Sequence, residues 1–466
     1  MKFRLPLCLA LALACATPAL ALSPDVERAN ALLDAGKVQE AVSALETAIA
    51  RDQNDVEALI ALSRIYTDAE MPQAALAQAE AAVRAAPENS DALLLRAMAY
   101  YDVGERKKAR ADLEAVLARG PNAPALLQRG LLNSVEGDKV AGLADLRAAY
   151  ALDPSEPAYP YMIGIALNDL DRPEEALATF EMALSISPGN EEIGRERAAT
   201  LYRLERFQES VDAYKTLLKS HPDQNGIRVA LASAYQAAGD NDRALAGYTE
   251  VTRRDPTSMI AWWNRAEILA ATGKTKEALK SYDRAVSLDP ANAELVAGRG
   301  LTRYDAGDTG QALADLNAAI KIDPKSAMAL AYRGHVLSGE GQHEKAISDY
   351  DASIAIDPGN AFALVSRAES QFELGKNDRA LRDLAEAIKI APQSGLYRFQ
   401  GQIYATLGDH ISATEAFDQA IKLDPQDAQA LLRRSRSKLE LGDKAGADLD
   451  RAQALKLNPK VEAQTA

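Results

Sequence analysis

The sequence predicts an all-α chain built from tandem helix–turn–helix units, and three observations carry that prediction. Twelve prolines, Pro87, Pro121, Pro154, Pro188, Pro222, Pro256, Pro290, Pro324, Pro358, Pro392, Pro425 and Pro459, stand 34 residues apart, or 33 before Pro154 and Pro425. A fixed period in that range marks one supersecondary unit copied many times. With these prolines placed at position 32, twelve copies fall into register, and a thirteenth precedes them with Gln53 in the proline slot. In that register position 8 is Ala, Gly or Ser in every copy, from Ala29 to Ser435, and so is position 20, from Ala41 to Ala447. Composition is the third observation: aromatic residues make up 5% and the hydrophobic 47% leans on alanine, which suits closely packed helices better than sheets.

Each part of the unit has its own reason. Small residues at positions 8 and 20, and Ala at position 27 in nine of thirteen copies, let two helix backbones approach closely. Position 24 fills the space beside them with Phe180, Tyr214, Tyr248, Tyr282, Tyr350 or Phe417, and with leucine in most other copies. Between the helices a glycine, such as Gly36, Gly104 or Gly307, is free to take the left-handed conformation that ends a helix. In the second copy Glu70 replaces it and Pro72 follows, so a re-routed turn is expected there. The proline at position 32 stops the second helix. Two residues later Asn89, Asn190, Ser258, Asn292, Ser326, Asn360, Ser394 and Asp427 are expected to cap the next one.

This pattern, together with Trp262 at position 4, resembles the tetratricopeptide repeat over Leu22 to Pro459. The resemblance implies an α-solenoid, a right-handed superhelix whose first helices line a concave groove. The expected organisation is a signal peptide at 1–21, a solenoid of about thirteen repeats at 22–461 and a tail at 462–466. In the last repeat Arg451 takes the aromatic position, and Arg433, Arg434, Arg436 and Lys438 crowd the first helix. That polarity is expected of a terminal repeat that no neighbour covers, with an anion site as the competing reading.

The N-terminus reads as an export signal. Lys2 and Arg4 precede an apolar run from Leu5 to Ala16, and Ala19-Leu20-Ala21 places small residues where a signal peptidase cuts. The run is too short to span a bilayer, which takes about 20 apolar residues. Lipid anchoring at Cys15 is the alternative, although Ala12-Leu13-Ala14 lacks the leucine where a lipoprotein box needs it. Cleavage after Ala21 removes Cys8 and Cys15, and with them any disulfide or thiolate metal site. It also takes away Lys2 and Arg4 but no acid, moving the formal charge from −14 to −16. Such an acidic chain is a poor partner for nucleic acid, whose phosphates need basic faces. The expected location is periplasmic.

At 100° per residue, positions 4, 7, 8 and 11 of the first helix share one arc. Positions 2, 5, 9, 12 and 13 share another, the groove side in the geometry that the resemblance implies. Trp262 is therefore read as core. The groove candidates are Tyr161, Arg195, Tyr202, Arg203, Trp263, Tyr304, Phe372 and Arg398, with Gln236 beside them. Tyr161, Arg195, Tyr202 and Arg203 form the densest group, mixing aromatic faces with guanidinium forks suited to a carboxylate or phosphate. Trp263 is either a binding anchor or a ring covered by the adjacent repeat. The acids at position 13, Asp34, Asp68, Asp102, Asp169 and Asp305, either steer a basic partner or keep an open surface soluble. Arg96/Asp112, Arg129/Asp145, Arg299/Asp315, Arg333/Asp349 and Arg367/Asp383, each 16 apart, are expected to form an interhelical ion-pair ladder.

Little points to catalysis. The four histidines, His221, His335, His343 and His410, form no i, i+4 zinc pair, and Gly298-Arg-Gly300 has Arg303 where a dinucleotide loop needs its last glycine. No residual domain is left to host an active site, so neither enzyme activity nor a cofactor or metal is expected. Two functions remain: a cell-envelope scaffold that binds a protein or peptide partner in its groove, and a binding component for an anionic polysaccharide or other envelope polymer. Oligomeric state is left open.

Overall fold

The computed structural model describes residues 23–464, so the expected signal peptide lies outside the described residues. Among them are 27 α-helices and no strand. They fall into thirteen pairs, from Pro24–Asp34 with Val38–Arg51 to Ala428–Glu440 with Lys444–Leu457, followed by a short helix, Val461–Gln464. The chain divides into two compact units, Met1–Ala244 and Leu245–Ala466. Within each unit the two helices of a pair pack on one another, and in most repeats the first helix also touches the first helix of the next.

The small residues at positions 8 and 20 sit where the helices of a pair come closest. A Cβ on Gly164 would lie 2.5 Å from the Phe180 ring, and one on Gly401 would lie 2.6 Å from Phe417. Where serine stands instead, its hydroxyl bonds across the gap: Ser63 to the Ala75 carbonyl, Ser210 to Ala198 and Ser435 to Ala447, at 2.8–3.0 Å. The aromatic residues at position 24 are buried in every repeat that has one. Most pairs therefore have a core of their own, made from small residues on the facing helices and a ring or leucine from the second.

Ten of the thirteen turns carry a glycine with positive φ, and the other three hold Glu70, Asp171 and Glu205 at φ 55°, 59° and 57°. The turn at Glu70 is not re-routed. Met71 N–H donates to the Tyr66 carbonyl at 2.8 Å, as Lys37 does to Leu32 in the glycine turn of the first repeat, and Pro72 opens the next helix. The closing bond of the helix end over-determines the backbone, so a side chain is held where glycine would sit without strain.

Of the expected caps, Asn89, Asn190, Asn292, Ser326, Asn360 and Asp427 accept an N–H of the first helical turn. Ser258 makes no such bond, and Ser394 lies inside its helix and donates to Asp427 at 2.9 Å. Second helices have caps the alignment did not single out: Asp138, Asp308, Asp409 and Asp443.

The ion-pair ladder forms at all five expected sites, each arginine making two bonds of 2.7–2.8 Å to its aspartate. A sixth rung, Arg434 to Asp450, has the same spacing and geometry, at 2.8 and 2.6 Å. Several rungs reach further. Arg299, Arg367 and Arg434 also bond to Asp283, Asp351 and Asp418 on the preceding repeat's second helix, and Arg333 bonds to Asn317. One guanidinium thus joins two repeats, which a lone point charge cannot do as well.

At the C-terminus Val461 is fully buried against Ala428, Leu431, Leu432 and Ala454, and Arg451 donates to Glu462 at 2.6 Å. Lys438 shares Asp450 with Arg434 at 2.9 Å. Arg434 and Lys438 are therefore both held by Asp450.

Candidate functional site

The first helices present two surfaces, and the structure separates them differently from the helical arc. Position 5 is mostly a seam between repeats. Val26, Leu94, Leu127, Tyr161, Ala297, Ala331 and Leu432 all occupy it and all are buried. An arc drawn on one helix does not see the neighbouring first helix that covers this position.

Tyr161 shows the consequence. It was expected in the groove wall, but only 5% of it is exposed, its ring packs 6.1 Å from Phe180, and its hydroxyl donates to Glu192 of the next repeat at 3.0 Å. Burial, then the charges of Glu192 and Glu196, push the phenol well above its ordinary range. Burial likewise raises the Glu192 and Glu196 carboxyls, with Arg195 opposing. Tyr214 beside them is pushed up to about 12, first by burial and then by Glu196.

The rest of that group does not converge on a common point. Arg195 is exposed, 3.9 Å from Glu191, and its charge acts on the neighbouring Glu192 and Glu196. Arg203 is spent on the preceding repeat, donating to the Asn168 carbonyl and to Asp171, both at 2.7 Å. Tyr202 is 40% exposed, edge-on to Phe207 at 5.4 Å.

In the second unit the candidates Trp263 and Tyr304 pack against one core cluster, beside Tyr332. Trp263 is half-buried, and its indole N–H donates to Glu267 at 3.2 Å. Trp262, expected in the core, is also half-buried; its N–H donates to the Pro256 carbonyl and Arg265 lies 5.8 Å over its ring. Phe372 meets Phe399 edge-on at 5.6 Å. Arg398 donates to Asp427 at 2.7 Å, and Asp427 itself caps the next helix. Burial opposes ionisation of Asp427, but the Ala430 N–H, Arg398 and Ser394 outweigh it and hold the carboxyl below its ordinary value.

Sequence reasoning missed a row of rings that the structure assembles across three repeats. Tyr304 meets His335 at 5.7 Å, His335 meets Phe362 at 5.5 Å, and Phe362 meets Tyr332 at 5.7 Å. Phe362 is 40% exposed. Phe362 stands at position 2 and His335 at position 9, so the same sorting would have found both; Tyr332, at position 6, falls between the arcs. Gly339 lies against the Tyr304 hydroxyl, where any side chain would displace the ring.

Among the described residues no group of three or more His, Cys, Asp or Glu is placed to hold a metal ion, and no helix is long and apolar enough to cross a membrane. The geometry offers extended side-chain surface rather than a chemically converging pocket.

The tetratricopeptide-repeat family model matches at residues 26–90, 61–124, 94–157, 136–191, 229–293, 298–361, 365–428 and 400–460. The peroxisomal targeting signal receptor of Candida albicans is 28% identical over 196 residues, covering 40% of this chain and 33% of the receptor. The chain thus matches about a third of that relative's length. Among solved structures, a tetratricopeptide repeat protein from Parabacteroides merdae is 18% identical with a TM-score of 0.44, covering 57% of this chain and 98% of that one. A structure of the APC/C hetero-tetramer Cut9-Hcn1 is 14% identical with a TM-score of 0.46, covering 92% of both chains.

Proposed function

This chain belongs to the tetratricopeptide-repeat family, and from that premise we propose that it is an adaptor of the bacterial cell envelope, holding a segment of a partner protein against the first-helix face of its repeats. The repeat array itself is a scaffold for protein–protein interaction, in a family that is typically non-catalytic. The observation that carries the finer reading is the exposed aromatic and aliphatic surface of the first helices. Tyr202, Ile260 and Phe362 are 40–49% exposed although each unit buries its rings elsewhere. Large apolar side chains left at a surface lose nothing by meeting a partner and gain the burial. The envelope location is supported by the composition of residues 1–21 alone.

The polysaccharide reading depended on the groove arginines. Arg203 and Arg398 are committed to internal carboxylates and carbonyls, and Arg195 stands among Glu191, Glu192 and Glu196, so none of the three is an uncompensated cation. A polymer-binding face needs several.

The test is affinity capture from an envelope extract with the tagged, exported chain, read by mass spectrometry for proteins and by sugar analysis for glycans. A protein whose capture is lost with Tyr202→Ala or Phe362→Ala supports the proposal. Retained glycan without protein overturns it. Release of the chain by osmotic shock, with Leu22 as its first residue, is the expected result for the location; a chain beginning at Met1 in the soluble cell extract refutes it.

A further inference from the structure

We infer that the first-helix face of repeats eight to eleven docks a basic segment carrying bulky apolar side chains. The inference rests on the scaffold reading above and names the chemistry of the partner. The face is built from Met259–Ala271, Ala293–Asp305, Ala327–Gly339 and Ala361–Glu373. Its apolar part is the ring row Tyr304–His335–Phe362–Tyr332, with Phe362 open to solvent and Ile260 49% exposed on the first of the four helices.

Its charges are one-sided. These four helices contain no lysine and five arginines, Arg265, Arg299, Arg303, Arg333 and Arg367. Every one of the five is engaged elsewhere. Arg299, Arg303, Arg333 and Arg367 bond to second-helix acids, and Arg265 lies between Thr249 and Ser281. The acids on the same helices are Glu267, Glu294, Asp305, Glu369 and Glu373. Glu267 is oriented by the Trp263 indole and the Tyr282 hydroxyl. Glu294, Asp305, Glu369 and Glu373 are exposed and take part in no ion pair among the described residues.

Two local effects agree with this geometry. Desolvation, reinforced by the Glu373 charge, raises the Glu369 carboxyl, so a cation placed there relieves an existing cost. Burial lowers the His335 imidazole, with Asp305 only partly opposing, which favours the uncharged ring at neutral pH. Uncompensated carboxylates around half-buried rings complement an ammonium or guanidinium next to a leucine or phenylalanine side chain. An acidic segment would meet like charge at four places.

The experiment measures fluorescence anisotropy of a labelled, end-capped Lys/Leu peptide on the full chain. The same peptide with Glu for Lys, and one with Ser for Leu, serve as comparisons. The Lys/Leu peptide is expected to bind, and the other two to bind at least about tenfold more weakly, a ratio that shrinks as salt rises. Glu369→Gln/Glu373→Gln should weaken binding about five- to tenfold, with circular dichroism unchanged, and Phe362→Ala by a similar factor. Glu344→Gln, on the second helix of the tenth repeat, should leave it unaltered. Equal binding of the Glu/Leu peptide, no binding of the Lys/Leu peptide, or indifference to the face variants overturns the inference. If it fails while envelope capture still yields a protein, the scaffold reading stands and only this partner class falls.

Discussion

Asp383→Ala is the sharpest test of what holds the two helices of one repeat together. Asp383 takes two bonds of 2.7 Å from Arg367, and that guanidinium also donates to Asp351 of the preceding repeat at 2.6 Å. The Asp383 side chain is 10% exposed, Arg367 18% and Asp351 58%. Removing one partner of a buried pair costs about 3–5 kcal/mol because the other charge stays buried. Arg367 keeps Asp351 and some contact with water, so about 2–3 kcal/mol is expected here. Asp351→Ala removes an exposed partner and should cost about 0–1 kcal/mol. A repeat array does not unfold in one step, so the readout must be local. Hydrogen exchange followed by mass spectrometry on Ala361–Glu373 and Asn377–Ile390 supplies it. Asp383→Ala should speed exchange of these helices about 30- to 160-fold, the equilibrium factor for that energy. Helices several repeats away should change little. Equal effects of the two alanine variants, or none from either, would refute the account of the ladder. The double variant Arg367→Leu/Asp383→Leu should recover most of the protection, since apolar replacement of a buried pair is often neutral.

The remaining predictions follow the same geometry. Glu70→Gly, Asp171→Gly and Glu205→Gly should each stabilise their repeat. Relief of left-handed strain, about 1–2 kcal/mol, exceeds the entropy cost of glycine, about 0.5–1 kcal/mol, and slower local exchange should report it. Gly164→Ala should destabilise the fifth repeat by about 1–3 kcal/mol, because its Cβ would overlap the Phe180 ring; unchanged exchange in Ala158–Asp169 would show that the ring yields freely. Glu196→Gln should stabilise the sixth repeat at neutral pH. Burial raises the Glu196 carboxyl, so its contribution is intact below the unfolded carboxylate pKa and is lost as pH rises through the higher folded value. The advantage of the Gln variant should therefore be small near pH 4 and grow toward pH 7, read at each pH as the difference in local hydrogen exchange of Glu191–Arg203 between variant and parent; a difference that shrinks with pH would contradict it.

Much of the fold was readable because its physical demands repeat. A position that must be small in one pair must be small in all, so Gly164, Ala198 and Ser435 disclose one packing site. The ladder is readable for the same reason, and the sixth rung, Arg434/Asp450, carries the same spacing of 16 amid the cations Arg433, Arg436 and Lys438. Glu70 was misread because a turn closed by its own backbone bonds tolerates a strained side chain, a fact that lies in the neighbours rather than in the residue. The same limit explains Tyr161. Its burial depends on the sixth repeat's first helix lying over position 5, and a helical arc contains no information about that helix.

The binding face was harder to read because its chemistry depends on which charges are already used. Net charge alone, −14 over the chain, treats Asp305 and Asp349 alike. In the structure Asp349 is buried under two bonds from Arg333, whereas Asp305 faces solvent without a cation. Asp315, Asp349 and Asp383 hold the arginines of the first helices in repeats nine to eleven, Arg265 of repeat eight is bonded to Thr249 and Ser281, and these helices carry no lysine. Packing therefore creates the electrostatic character of the face: by drawing arginine toward the second helices, it leaves Glu294, Asp305, Glu369 and Glu373 without an ion pair among the described residues, on helices that carry the rings. A basic, apolar partner satisfies both features at once, and the dependence of its binding on salt and on Phe362 separates that role from solubility.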